Sequence, residues 1–106
     1  STYSSSEGTW DVDALHVAAA EELVQQVPLE QLLHKLDNVV WGKEPMSVNE
    51  VLAHAVRIHD ADMGSPLILS AEGSLMDGYH RLARAAWLKL PTVLVRQFRV
   101  TPPPRE

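Results

Sequence analysis

The chain has no cysteine. Disulfides, thiolate metal sites and thiol nucleophiles are excluded together. It also lacks any apolar run near the roughly 20 residues that a membrane-spanning helix needs. No basic-then-apolar leader pattern opens it, so a cytoplasmic protein without a membrane anchor is expected. Lysine and arginine are scarce, nine in 106 residues, against 14 aspartates and glutamates for a net charge of −5. These cations are spread out rather than clustered. A general duplex-DNA binder needs a basic face to neutralise phosphates, and none is supplied. One small anionic ligand is still allowed, because a local site needs only a few donors. The chain opens on Ser1 rather than Met, which reads as processing or as the edge of a longer protein. Residues 1–9, STYSSSEGT, are polar and Ser-rich, so a flexible terminus is expected.

What is there suits one modest core, with 45% hydrophobic and 22% charged residues. A single domain over residues 10–100 is expected, followed by a Pro-rich tail, 101–106. Asp11 is placed to cap a first helix with apolar positions at Val12, Leu15, Ala19, Leu23 and Val27, and Pro28 stops it. Trp10 and Leu15 match a hydrophobic staple. His16 lies beside that stripe and reads as a boundary residue rather than a ligand. VPLEQLL (27–33) fits either a short strand or the start of a helix. Residues 37–45 read as a loop packed on the core through Val40 and Trp41, with Trp41 alternatively the flat wall of a ligand pocket.

The best local signature follows. Ser47-Val48-Asn49-Glu50 is a capping box, with Met46 and Val51 placed to staple. The helix it opens should run to about Ala61 and bury Val48, Val51, Leu52, Ala55 and Ile58. Glu50, His54 and Arg57 share another face. That face is either solvated and laced by an ion pair, or turned so that His54 and Arg57 approach a ligand. His54 and His59 are five apart and do not share a face, so no metal site is expected. A strand through residues 66–70, a tight turn at 71–74 and an antiparallel return at Leu75-Met76 come next.

Ser74 to Leu90, SLMDGYHRLARAAWLKL, carries the functional reading. Tyr79, Leu82, Ala83, Ala86 and Leu90 form one helix face. Asp77 is an N-cap type, and Gly78 allows a sharp exit from the strand. The first helical turn then offers backbone N–H groups without intrahelical partners at the positive end of the helix dipole. His80 and Arg81 sit in that turn, as in a phosphate or carboxylate site. The alternative is that both are ordinary surface residues. After Pro91, TVLVRQFRV (92–100) reads as a strand buried in its first half.

This order of parts resembles the ParB/sulfiredoxin-like superfamily over PLILS (66–70), EGSLMDGYHRLARAAWLKL (72–90) and TVLVRQF (92–98), with VPLEQLL (27–33) as its first strand and turn. The resemblance implies an α+β domain of bacterial type, a mixed sheet packed by helices, with the first helix as an addition. The Gly-x-x-Arg turn of that superfamily resembles a nucleotide-phosphate cradle. Tyr79 stands where sulfiredoxins carry cysteine, so sulfinic-acid repair is excluded. Gly78 and Arg81 match the Gly-Glu-Arg-Arg turn of CTP-binding ParB proteins, but Tyr79 and His80 replace its middle residues, and there is no room for a helix-turn-helix domain. Asp77, Gly78, His80 and Arg81 match the Asp-Gly-x-His-Arg turn of free-serine kinases. The expected ligand is ATP, ADP or CTP with Mg²⁺, contacted by Gly78, Tyr79, His80, Arg81, Arg57 and Trp41. A small kinase or nucleotide hydrolase would use Asp77, His80 and Glu30 as catalytic groups. The alternative is a regulatory or protein-interaction module without chemistry.

Overall fold

A computed structural model describes residues 1–37 and 45–106. Two short strands, β1 (Thr2–Ser5) and β2 (Gly8–Asp11), open the chain as an antiparallel hairpin. The stretch expected to be flexible is therefore paired, and Trp10 in β2 is buried. Helix α1 (Val12–Ala19) follows directly and buries Leu15 and Ala19. Asp11 occupies its N-cap position, yet its carboxylate makes no capping bond and pairs with Arg105 instead.

Helix α1 stops well short of Val27, and Leu23 is left exposed. Tertiary partners take the chain over. Glu22 accepts from the Arg99 backbone N–H and side chain, both at 2.9 Å, while Arg96 donates to the Glu22 carbonyl. The Arg99 N–H, followed by its guanidinium, holds the Glu22 carboxyl below the usual glutamate range. Drawn out this way, the chain enters β3 (Gln25–Pro28), which ends at Pro28 and gives way to two 3-10 turns, Leu29–Gln31 and Leu33–Leu36. Proline suits the end of an edge strand, where a missing N–H leaves no gap in the ladder.

Helix α2 (Val48–His59) has both hydrogen bonds of the expected capping box. Strands β4 (Leu67–Leu69) and β5 (Leu75–Asp77) form a hairpin closed by Gly73 at φ 91°. Helix α3 (Tyr79–Leu88) and strand β6 (Thr92–Gln97) complete the elements among the described residues. The sheet order is β3-β6-β4-β5, with β4 parallel to β6 and the other neighbours antiparallel. The described residues thus form a compact α+β domain with three α-helices and a mixed sheet.

Side chains that alternate along β4 and β5 divide the core in two. Leu67, Leu69, Leu75, Val93 and Val95 face Leu82 and Ala85 of α3 and the leucines of the 3-10 turns. Ile68, Met76 and Phe98 face Trp10, Leu15 and Ala19. The sheet is covered on both sides, which is why LIL (67–69) is apolar at every position.

Candidate functional site

Gly78 makes the junction possible. Its φ of 113° is one that L side chains rarely adopt, and a Cβ there would stand 2.4 Å from Leu67 Cδ2. The same Cβ would lie 3.0 Å from Arg81 Nη2, so the glycine also makes room for the guanidinium to fold back. Gly78, not Asp77, is the N-cap residue of α3, and no side chain caps that end. The expected role of Asp77 is corrected accordingly. It closes β5, and its Oδ2 accepts from Arg81 Nη2 at 3.0 Å and lies 2.8 Å from His16 Nε2.

The guanidinium is largely buried. Nη2 also reaches the Pro66 carbonyl at 3.4 Å, while Nε is buried with no acceptor among the described residues. Leu82 N donates to Gly78 O at 2.9 Å, the first backbone hydrogen bond into the helix. The N–H groups of Tyr79, His80 and Arg81 precede it, at the positive end of the helix dipole. A buried donor without an acceptor is costly, so Arg81 holds its folded-back position against an unmet hydrogen bond.

His80 turns toward α2. Its Nε2 lies 2.8 Å from His54 Nδ1, with ring centroids 5.1 Å apart and planes 15° apart, so the two rings meet edge to edge. One nitrogen of that contact donates and the other accepts, so a single proton bridges the two rings. Burial, then the neighbouring His54 and Arg57, lower the pKa of His80, with Asp77 acting against them. Burial raises the pKa of the Tyr79 phenol. Among the two readings of the α2 face, the one that turns His54 and Arg57 toward the Gly78 turn matches the geometry.

Around this junction opens a cleft of about 600 Å³, within the range of small-molecule sites. Gly78 to Arg81 form one wall, Arg57 and Asp60 to Asp62 a second, and Ser1 to Tyr3 of the hairpin a third. Its charge is mixed: two guanidiniums face three aspartates, Asp60, Asp62 and Asp77. A second cleft, about 350 Å³, lies beside Glu22 and Arg99, whose charges already neutralise each other.

Asp77, Gly78, Tyr79, His80, Arg81 and Arg57 come together at the cleft. Glu30 does not. It lies in the first 3-10 turn and shares a groove with Lys89, Leu90 and Pro91 at the opposite end of α3, a helix whose ten residues span about 15 Å. Its expected catalytic role is corrected on that ground. Trp41 lies outside the described residues. Sequence reasoning missed His16 as the partner of Asp77, and Asp60 and Asp62 as cleft residues. Helix periodicity signals none of these, because each depends on how distant segments are placed beside the β5–α3 junction. Among the described residues, no group of three or more His, Asp or Glu side chains could hold a metal ion, and no helix is long and apolar enough to cross a membrane. Comparison with protein-family models, with curated proteins and with solved structures gave no match.

Proposed function

We propose that the protein binds a phosphorylated small molecule, a nucleotide of the ATP, ADP or CTP kind, with the phosphates at the start of α3. This is also the ligand class suggested by the sequence resemblance to ParB/sulfiredoxin-like domains. The observation that carries the reading is the Gly78 turn, which has no side-chain cap and lines the cleft together with Arg81 and Arg57. The three N–H groups ahead of Leu82 would take phosphate oxygens, and Arg57, across the cleft, would add a second cation. Asp77 competes for Arg81 from inside the site, so the ligand must share or displace that carboxylate. Magnesium on the phosphates would help, since it offsets the repulsion from the three cleft aspartates.

A second reading, phosphotransfer or nucleotide hydrolysis, is favoured by Asp60 and Asp62, carboxylates on the same cleft as His80. One titration series tests binding, and one assay separates binding from chemistry. Calorimetry with ATP, ADP, CTP and pyrophosphate, with and without Mg²⁺, should give saturable binding for at least one of them. Arg57→Ala and Arg81→Ala should each weaken it about tenfold, the size expected of a charge-assisted hydrogen bond. Equal affinity in both variants would refute the site. Phosphorus NMR of the bound nucleotide then decides for chemistry if it is consumed, and for a binding module if it persists.

A further inference from the structure

The Pro-rich tail does not trail away from the fold. Trp10 Nε1 donates to the Pro102 carbonyl at 2.8 Å. Arg105 N donates to Thr9 O at 2.8 Å, and Arg105 Nη1 to Asp11 Oδ1 at 3.1 Å. Gly8, at φ 142°, comes so close to Pro104 that a Cβ would stand 2.6 Å from that ring. Tyr3 packs its ring on Trp10 with centroids 5.7 Å apart. Strand β2 thus meets one segment with four complementary features. An indole donor meets a proline carbonyl, a backbone carbonyl meets an N–H, a glycine admits a proline ring, and a carboxylate meets a guanidinium.

These are the features by which a proline-rich segment can be recognised. Successive prolines hold the backbone extended without internal hydrogen bonds, so their carbonyls await outside donors. Such a segment also loses little entropy on docking in an aromatic-lined groove. We propose that the β1–β2 hairpin is a recognition groove for a Pro-Pro-Pro-Arg type of segment carried by another polypeptide, which the chain's own residues 101–106 fill in cis. The seated tail identifies the occupant: the Pro104 ring against Gly8, the Pro102 carbonyl on the Trp10 indole N–H, and an arginine against Asp11. The Asp11–Arg105 pair is half exposed, so it lies at the rim where one segment can replace another. A tethered occupant has a high effective concentration, so a foreign segment enters only when the tail is weakened or the newcomer fits better.

The test uses the full chain carrying Pro104→Ala and Arg105→Ala, titrated with a synthetic peptide of residues 101–106 and followed by indole NMR and calorimetry. The expected result is one-to-one saturable binding, at least tenfold tighter than to the unaltered chain, with the Trp10 indole N–H shifted. Adding Asp11→Ala should weaken that peptide at least threefold, while leaving a peptide with alanine in place of its arginine unaffected. Absence of saturable binding in a folded double variant would overturn the proposal. Should that variant fail to fold, the unaltered chain decides: millimolar peptide must shift its Trp10 indole resonance, and no shift would also overturn it. A doubling of mass for the unaltered chain, measured by light scattering, would assign the groove to a second copy and refute the foreign-segment assignment.

Discussion

Helices α2 and α3 lie side by side, and they make opposite use of their sequences. Helix α2 begins with a complete capping box and carries Val48, Val51, Leu52 and Val56, yet it has no buried residue. Helix α3 starts at a glycine without a side-chain cap, yet its Leu82 and Ala85 are 0% exposed. The difference comes from topology. Helix α3 connects β5 to β6, which flank β4, so it passes over one face of the sheet and buries a side there. Helix α2 meets α3 through polar groups, the His54–His80 contact and Arg84 reaching the Ile58 and His59 carbonyls. Local signals decide that a helix forms; the connections decide what it buries.

The largest effect that would sharpen this contrast is in α3. Leu82→Ala should cost about 2–5 kcal/mol, through lost burial plus the cavity left against Leu67 and Val95. Urea unfolding measures it, and a loss under 1 kcal/mol would mean that α3 is not the core helix. Next comes the turn that starts α3. Gly78→Ala forces a side chain into a positive φ and against buried Leu67, for a cost of about 2 kcal/mol. Any nucleotide affinity should fall with it, since Arg81 loses its place. A Gly78→Ala variant as stable as the parent would show that the strand-to-helix turn has another shape. Third is Ser47→Ala in α2, which removes the oxygen that accepts from Glu50 N at 3.1 Å. A cap of this kind contributes about 1 kcal/mol, and amide exchange in the first turn of α2 should accelerate locally. Uniform acceleration across the sheet instead would mean that α2 and the core unfold as one unit.

The same contrast explains what could be read from the sequence. The capping box, the β4–β5 hairpin and the Gly78 exit were legible because each is set by residues within a few positions of one another. Trp10 and Leu15 were also foreseen as neighbours, and both belong to one buried cluster. What failed depends on distant partners. The helical period of Leu23 and Val27 predicts α1 past Ala19, but Arg96 and Arg99, more than 70 residues away, draw Glu22 out of it. Residues 1–9 look flexible alone yet pair within the β1–β2 hairpin, and the extended residues 101–106 dock on it through Thr9 and Gly8. At the site, Gly78, His80 and Arg81 were legible from one short stretch. The His16–Asp77 contact was not, because it spans 61 positions and two elements.

The smallest expected effect tests the contrast most sharply, because it repeats the largest one's chemistry on the other helix. Leu52→Ala removes the same atoms as Leu82→Ala, but from a side chain that is 59% exposed. Little burial is lost, and alanine is at least as good a helix former as leucine. The two terms nearly cancel, so the change in stability should stay within about 0.5 kcal/mol in either direction. Urea unfolding at two protein concentrations makes the measurement specific. A cost approaching that of Leu82→Ala would mean that the apolar side of α2 is covered in solution. If that cost grew with concentration, the cover would be a second copy, and the two helices would differ in when they are buried rather than in whether they are.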